Sequence, residues 1–311
     1  MRIVVLAGGI GGARYLRGLK QAAPEAEITV IGNNGDDIGL FGLRVCPDLD
    51  TVMYTLGGGI NEDQGWGRRD ETFTIKEELA AYGAGPSWFG LGDRDFATHI
   101  VRTQMLDAGY PLSAVTEALC ARWQPGVRLI PSTDDRLETH VIISDADGRR
   151  AIHFQEWWVK MHASVPAEAI TPVGADDAKP APGVLEAIEA ADVVLLPPSN
   201  PVVSIGMILA VPGIAAAAAS KTVVGVSPII GGAPVRGMAD VCLTAIGVET
   251  SAQAVAAHYG PGLLDGWLVD TVDEGVQVEG ITVRARPLYM TDLDATAAIA
   301  RAALDLAAEL A

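Results

Sequence analysis

The sequence predicts an α/β protein: a doubly wound, mainly parallel sheet carrying a mainly helical insertion. Three observations predict it. Short apolar runs rich in β-branched residues recur along the chain, as strands buried on both faces require. Helical-period segments alternate with those runs. The first run ends in a glycine turn that opens a helix, the opening unit of a nucleotide-binding sheet.

In chain order, residues 2–7 (RIVVLA) form the first expected strand, stopped by Gly8 and Gly9. Residues 11–23 carry Ala13, Leu16 and Leu19 on one helical face, and residues 27–32 (EITVIG) give a second strand. Further strands are expected at 139–144, 151–159, 192–197, 222–228, 240–246 and 281–288. Within 151–159, Trp157 and Trp158 fall on opposite faces of a strand. Helices are expected near 182–191, 212–220 and 251–260. A last helix begins after Thr291 as N-cap, with Asp294 at the capping-box position. Residues 60–135 are amphipathic and poor in strand signals. The expected division is therefore a Rossmann-like core from 1–59 and 136–311, with a helical insertion at 60–135 over one sheet edge.

The chain has 311 residues, 49% of them hydrophobic, so its core needs no disulfide framework. Cys46, Cys120 and Cys242 are odd in number and without ligand spacing, which predicts reduced thiols. The five histidines, His99, His140, His153, His162 and His258, show no metal-ligand spacing either. A formal net charge of −17 disfavours nucleic acid and anionic membranes as partners. The N-terminal apolar run is too short for a leader or a membrane span, so the expected location is the cytoplasm.

AGGIGGAR at 7–14 places four glycines where a strand meets a helix, a turn whose backbone N–H groups suit a phosphate. Gly8, Gly9, Gly11, Gly12 and Arg14 are its candidate ligands. The dinucleotide fingerprint is broken, because Arg14 takes the sixth position. Asn33 and Asn34 stand where a ribose-binding acid belongs, which argues against a nicotinamide-dependent oxidoreductase. Asp36, Asp37, Asp48 and Asp50 follow the second strand, at the edge where such sheets bind ligands. Facing phosphates, they call for a cation such as Mg²⁺, which takes one or two carboxylates with phosphate oxygens. One of them could instead accept a proton from an attacking hydroxyl. Turn formation by Asp36 and Asp37, and helix capping by Asp48, are the competing structural roles. Asn200 and Ser204 in the loop after 192–197 suit a nucleotide, and Ser227 opens a second loop at the same edge.

LAGGIGGAR, GDD, CPDLDT, TLGGG, WGRRDET, LGDRDFATH, TDDRLETHV, HFQEWWV, PPSNPVVSIG, VSPIIGG and RGMAD occur in this order. On these motifs, spanning about residues 3 to 300, the chain resembles the 2-phospho-L-lactate transferase family, and most closely its actinobacterial phosphoenolpyruvyl transferase branch. The resemblance implies a step of coenzyme F420 biosynthesis. The terminal ribityl hydroxyl of the deazaflavin Fo attacks the phosphorus of a guanosine diphosphate-activated enolpyruvate or lactate. GMP leaves, dehydro-F420-0 or F420-0 forms, and Mg²⁺ is required. The resemblance also implies a homodimer and a helical region that helps to bind Fo. Carried residue by residue, it assigns Asp50, Phe89, Gly90 and Arg94 to Fo, although many relatives carry a basic residue at the position of Gly90. The catalytic candidates are Asp50 and Asp48, the metal candidates Asp36 and Asp37, and the nucleotide candidates the glycine turn, Arg14, Asn33, Asn200, Ser204 and Ser227. A non-catalytic nucleotide-sugar-binding protein of similar fold is the alternative.

Overall fold

A computed structural model describes every residue from Met1 to Ala311. The elements are β1 (Arg2–Ala7), α1 (Gly9–Ala22), β2 (Glu27–Gly32), β3 (Ile38–Leu40), β4 (Leu43–Val45), α2 (Pro47–Leu56), α3 (Thr74–Ala81), α4 (Asp93–Asp107), α5 (Leu112–Trp123) and β5 (Arg128–Pro131). β6 (Glu138–Asp145), β7 (Gly148–His153), β8 (Ala167–Val173), α6 (Val184–Ala190), β9 (Val193–Leu196), α7 (Gly206–Ala210), α8 (Ile214–Ala218), β10 (Val223–Val226), β11 (Ile229–Ile230) and β12 (Ala233–Pro234) follow. The chain ends with α9 (Ala239–Ala245), α10 (Ala252–Tyr259), β13 (Gly266–Val269), β14 (Thr282–Ala285) and α11 (Leu293–Leu310).

The central sheet has seven strands in the order β14-β13-β10-β9-β1-β2-β5, all parallel. Chain order runs outward in one direction from β1 to β5 and in the other from β9 to β14. The reversal between β1 and β9 opens a crevice at the strands' carboxyl ends. Along β1, Ile3, Val5 and Ala7 join the core on one face of the sheet, while Val4 and Leu6 join the core on the other. This period-2 division explains why the run is apolar throughout. Helices α1 and α11 close one face. They meet at Gly18, where any Cβ would run into the Thr296 backbone.

Several elements differ from the sequence expectation. Residues 240–245 of the expected strand 240–246 lie in helix α9, and Ile246 caps it. Ala239, Cys242 and Leu243 are its buried positions, a helical spacing inside a run short enough to read either way. The strand expected over 151–159 ends at His153, and Glu156–Lys160 forms a wide π-helical turn. The two tryptophans still diverge: Trp157 is buried in the core, and Trp158 is 37% exposed. Residues 139–144 belong to a separate antiparallel sheet, β7-β6-β8, and not to the central one. Within 60–135, Arg128–Pro131 is the edge strand β5 paired with β2, so the helical segment ends before Arg128. The last helix is capped by Asp292, whose carboxylate accepts from the Ala295 N–H at 2.7 Å, one residue beyond the expected Thr291. All three cysteines are free. No helix is long and apolar enough to cross a membrane.

Candidate active site

A cavity of about 810 Å³ lies at the crevice between β1 and β9. Its floor is the turn after β1. Gly8 is extended and Gly9 has φ +64°, a conformation that favours glycine. A Cβ on Gly8 would overlap the Asp48 carboxylate, and one on Gly11 would overlap the Pro198 carbonyl. The glycines therefore let two chain segments meet. Ser199 ties them together: its Oγ donates to Gly8 O at 2.8 Å and accepts from Gly8 N at 3.3 Å.

α2 presents its N-terminus to the cavity, with Pro47 as its first residue and Asp48 beside it. Asn33 fixes Asp48, donating from Nδ2 to Asp48 Oδ2 at 2.8 Å and to Val203 O at 3.1 Å. Asn33 Oδ1 in turn accepts from Gly35 N at 2.9 Å. Burial raises the Asp48 carboxyl to about 6, against the downward pull of the Asn33 amide, the Gly9 N–H and the Ser204 hydroxyl. Burial, then the charge on Asp48, push Asp36 well above the ordinary carboxylate range. Thr139 Oγ1 donates to Asp36 Oδ1 at 3.1 Å and opposes that rise. These two acids share a site in which their negative charges repel. Burial and the neighbouring Arg236 charge lower Arg14, so the same cavity also crowds two cations. An anion would relieve the arginines, and a divalent cation would relieve the acids.

The expected residues divide as follows. Gly8, Gly9, Gly11, Arg14, Asp36, Asp48, Phe89, Gly90, Asn200, Ser204 and Ser227 all line this cavity. Asn200 accepts from the Val202 and Val203 N–H groups and so caps the turn Pro201–Ile205. Gly12 packs against Ser199 and Ala7 instead of facing the cavity. Asn33 is fully buried, a support for Asp48 rather than part of the lining. Asp37 is also buried off the cavity, accepting from Arg44 Nη2 at 3.2 Å and from the Cys46 thiol at 3.0 Å. Asp50 sits beneath α4, ion-paired with Arg102 and 3.7 Å from His99 Nδ1. Arg94 lines a second cavity near the C-terminus of α2. No group of three or more His, Cys, Asp or Glu side chains forms a metal cage.

Sequence reasoning missed Arg236, Ser199, Trp66 and Trp158, all of which line the cavity. Arg236 donates to the carbonyls of Gln64 at 2.8 Å and Asp63 at 3.3 Å, holding the 61–67 loop over the site. Its position beyond the SPIIGG loop, at the ligand edge of the sheet, was the available signal.

The family model described as 2-phospho-L-lactate transferase CofD matches residues 3–300. The chain belongs to this family. It is a transferase of phosphorus-containing groups. Among its relatives, a phosphoenolpyruvate transferase of Streptomyces griseus is 76% identical, covering 100% of this chain and 99% of its own. Proteins with the same name are 74% identical in Thermobifida fusca (100% and 99% covered) and 60% identical in Mycolicibacterium smegmatis (99% and 99%). A crystal structure of protein BH3568 from Bacillus halodurans, a member of the UPF0052 family, superposes with a TM-score of 0.63 at 19% identity, over 97% of this chain and 99% of the other. At that identity the likeness concerns the fold.

Proposed function

We propose that this family member transfers an enolpyruvyl-phosphate or 2-phospholactyl group from a guanosine diphosphate-activated donor to the terminal ribityl hydroxyl of Fo, in coenzyme F420 biosynthesis. The observation that carries the reading is the composition of one cavity. It joins a phosphate-type turn, two arginines, two buried acids and an aromatic wall of Trp66, Phe89 and Trp158. The wall suits a flat tricycle. Arg14, Arg236 and the turn suit a diphosphate, and Asn200, Ser204 and Ser227, which line the same cavity, suit the nucleotide attached to it.

In this reading the ribityl oxygen attacks phosphorus, the bond to the bridging oxygen breaks, and GMP departs. The hydroxyl proton passes to Asp48. With its carboxyl at about 6, Asp48 is mostly ionised at neutral pH and is held toward the cavity by Asn33. Arg14 and Arg236 take up charge on the departing phosphate. Asp36 would hold Mg²⁺ through a carboxylate bond, with waters and phosphate oxygens completing its shell; it fits the ion because it is buried, repelled by the Asp48 charge and in the same cavity as the turn. When bound, the ion supplies neutralisation of the diphosphate. Asp37 and Asp50 then act through packing and charge balance behind the site, and Gly90 leaves open the space beside the aromatic wall.

Incubation with Fo, Mg²⁺ and each guanosine-activated donor, read by product mass, tests the proposal. Dehydro-F420-0 or F420-0 with stoichiometric GMP is expected. Binding of uridine diphosphate sugars with no product from either donor would favour the nucleotide-sugar-binding alternative. Light scattering tests the proposed homodimer.

A further inference from the structure

A second cavity of about 350 Å³ opens at the opposite end of α2 and shares no lining residue with the first. It is lined by Gly57, Gly58, Gly59 and Trp123 and by Arg68, Arg69, Arg94 and Arg122, with Asp70 as its one carboxylate. We propose that this cavity is a second anion site, which holds the phosphate or diphosphate group of a small molecule.

Four guanidiniums in one hollow are unexpected on a chain of net charge −17. Internal pairing leaves them in excess. Asp70 comes no closer than 4.0 Å to Arg69 Nε, and both side chains are largely exposed. Nor do the arginines serve the end of α2. Three of its last four carbonyls are already taken, Met53 O by Gly57 N, Tyr54 O by Gly59 N and Thr55 O by Gly58 N. Gly59 O accepts from the backbone of Arg69.

The arginines are also held in place. The Arg68 and Arg122 guanidinium carbons stand 4.9 and 4.7 Å from the centre of the Trp123 ring. Arg68 Nη1 donates to Arg94 O at 2.9 Å, which fixes its guanidinium against the Arg94 backbone.

The ligand class follows from this geometry. Planar guanidinium forks match phosphate oxygens, and an anion of charge two or more is needed to offset the arginine excess. Trp123 is the one aromatic ring of the lining, and Arg68, Arg122 and the Tyr54 ring already pack against it, so the cavity holds no free aromatic ring for a base. Recognition therefore goes through the phosphate.

The test titrates inorganic phosphate and pyrophosphate calorimetrically, at low salt, into the full chain and two variants. Arg14→Ala/Arg236→Ala strips cations from the large cavity; Arg69→Glu/Arg122→Glu alters exposed residues of the small one. The first variant should keep a binding event that the second weakens about tenfold or more, and that salt weakens in the wild type. Tighter binding of pyrophosphate would specify a diphosphate; equal binding, a single phosphate group. If Arg69→Glu/Arg122→Glu fails to fold by circular dichroism, Arg122→Gln is read in its place, with a several-fold loss expected. Unchanged phosphate affinity in the small-cavity variant would overturn the proposal. So would the absence of any phosphate binding together with a shift in molar mass on substitution, which would make the patch a contact for the acidic surface of a second copy.

Discussion

Asn33→Ala removes the group that fixes Asp48. Its side chain donates to Asp48 Oδ2 and Val203 O and accepts from Gly35 N, with no exposure to solvent. A hydrogen bond to a charged group contributes about 1.5–3 kcal/mol, and each buried group left unpaired costs about 1 kcal/mol or more. The variant should therefore lose about 3–5 kcal/mol, a large part of the stability of an ordinary domain. Urea unfolding reads this as a lower midpoint at an unchanged slope. Deprived of its donor, the Asp48 carboxyl should also rise beyond about 6, moving the acidic limb of the pH–rate profile to higher pH. Nucleotide affinity should change less than turnover. A stability loss under about 1 kcal/mol with nucleotide binding weakened about tenfold would refute the reasoning, because Asn33 would then be a ligand contact and not a support.

Other changes test separate parts of the account. Arg102→Ala leaves Asp50 buried without its cation and should cost about 3–5 kcal/mol, much of it recovered in Arg102→Ala/Asp50→Ala; additive losses in a double-mutant cycle would dissolve the pair. Gly11→Ala forces a Cβ onto the Pro198 carbonyl and should lower both stability and nucleotide affinity, whereas wild-type melting would deny the close approach. Burial raises Asp37 from 3.8 to about 6, so the folded state holds its proton more tightly than the unfolded chain does. Its ionisation thus costs stability as pH rises from about 4 through 6, by up to about 3 kcal/mol. Relative to wild type, Asp37→Asn should gain stability as pH rises from about 4 to 6, and keep that gain at higher pH; a flat difference across that window would contradict it.

Much of the fold was legible because a parallel sheet buried on both faces writes continuous apolar runs, as in RIVVLA and EITVIG. Residues 240–246 misled because a short apolar run satisfies strand and helix periods alike. β5 was hidden because RLIP is only four residues long and ends in a proline, although Pro125 and Gly126 just before it mark the turn that starts it. At the site, the glycine turn, Arg14, Asp36 and Asp48 were readable from chemistry at the sheet's ligand edge. Alternation within α2 was not. Asp48 and Asp50 are two positions apart, about 200° around a helix, so only one of them can face the cavity. Asp50 meets Arg102 and His99 across a tertiary contact that no local spacing announces.

The central claim is that Asp48, held by Asn33 beside the glycine turn, accepts the proton of the attacking hydroxyl. Single-turnover product mass for wild type and Asp48→Asn, with Fo and donor saturating and binding checked separately, tests it most directly. The account predicts a rate lower by about 10²–10⁴-fold in a folded variant that still binds Fo. Transfer at the wild-type rate would contradict it.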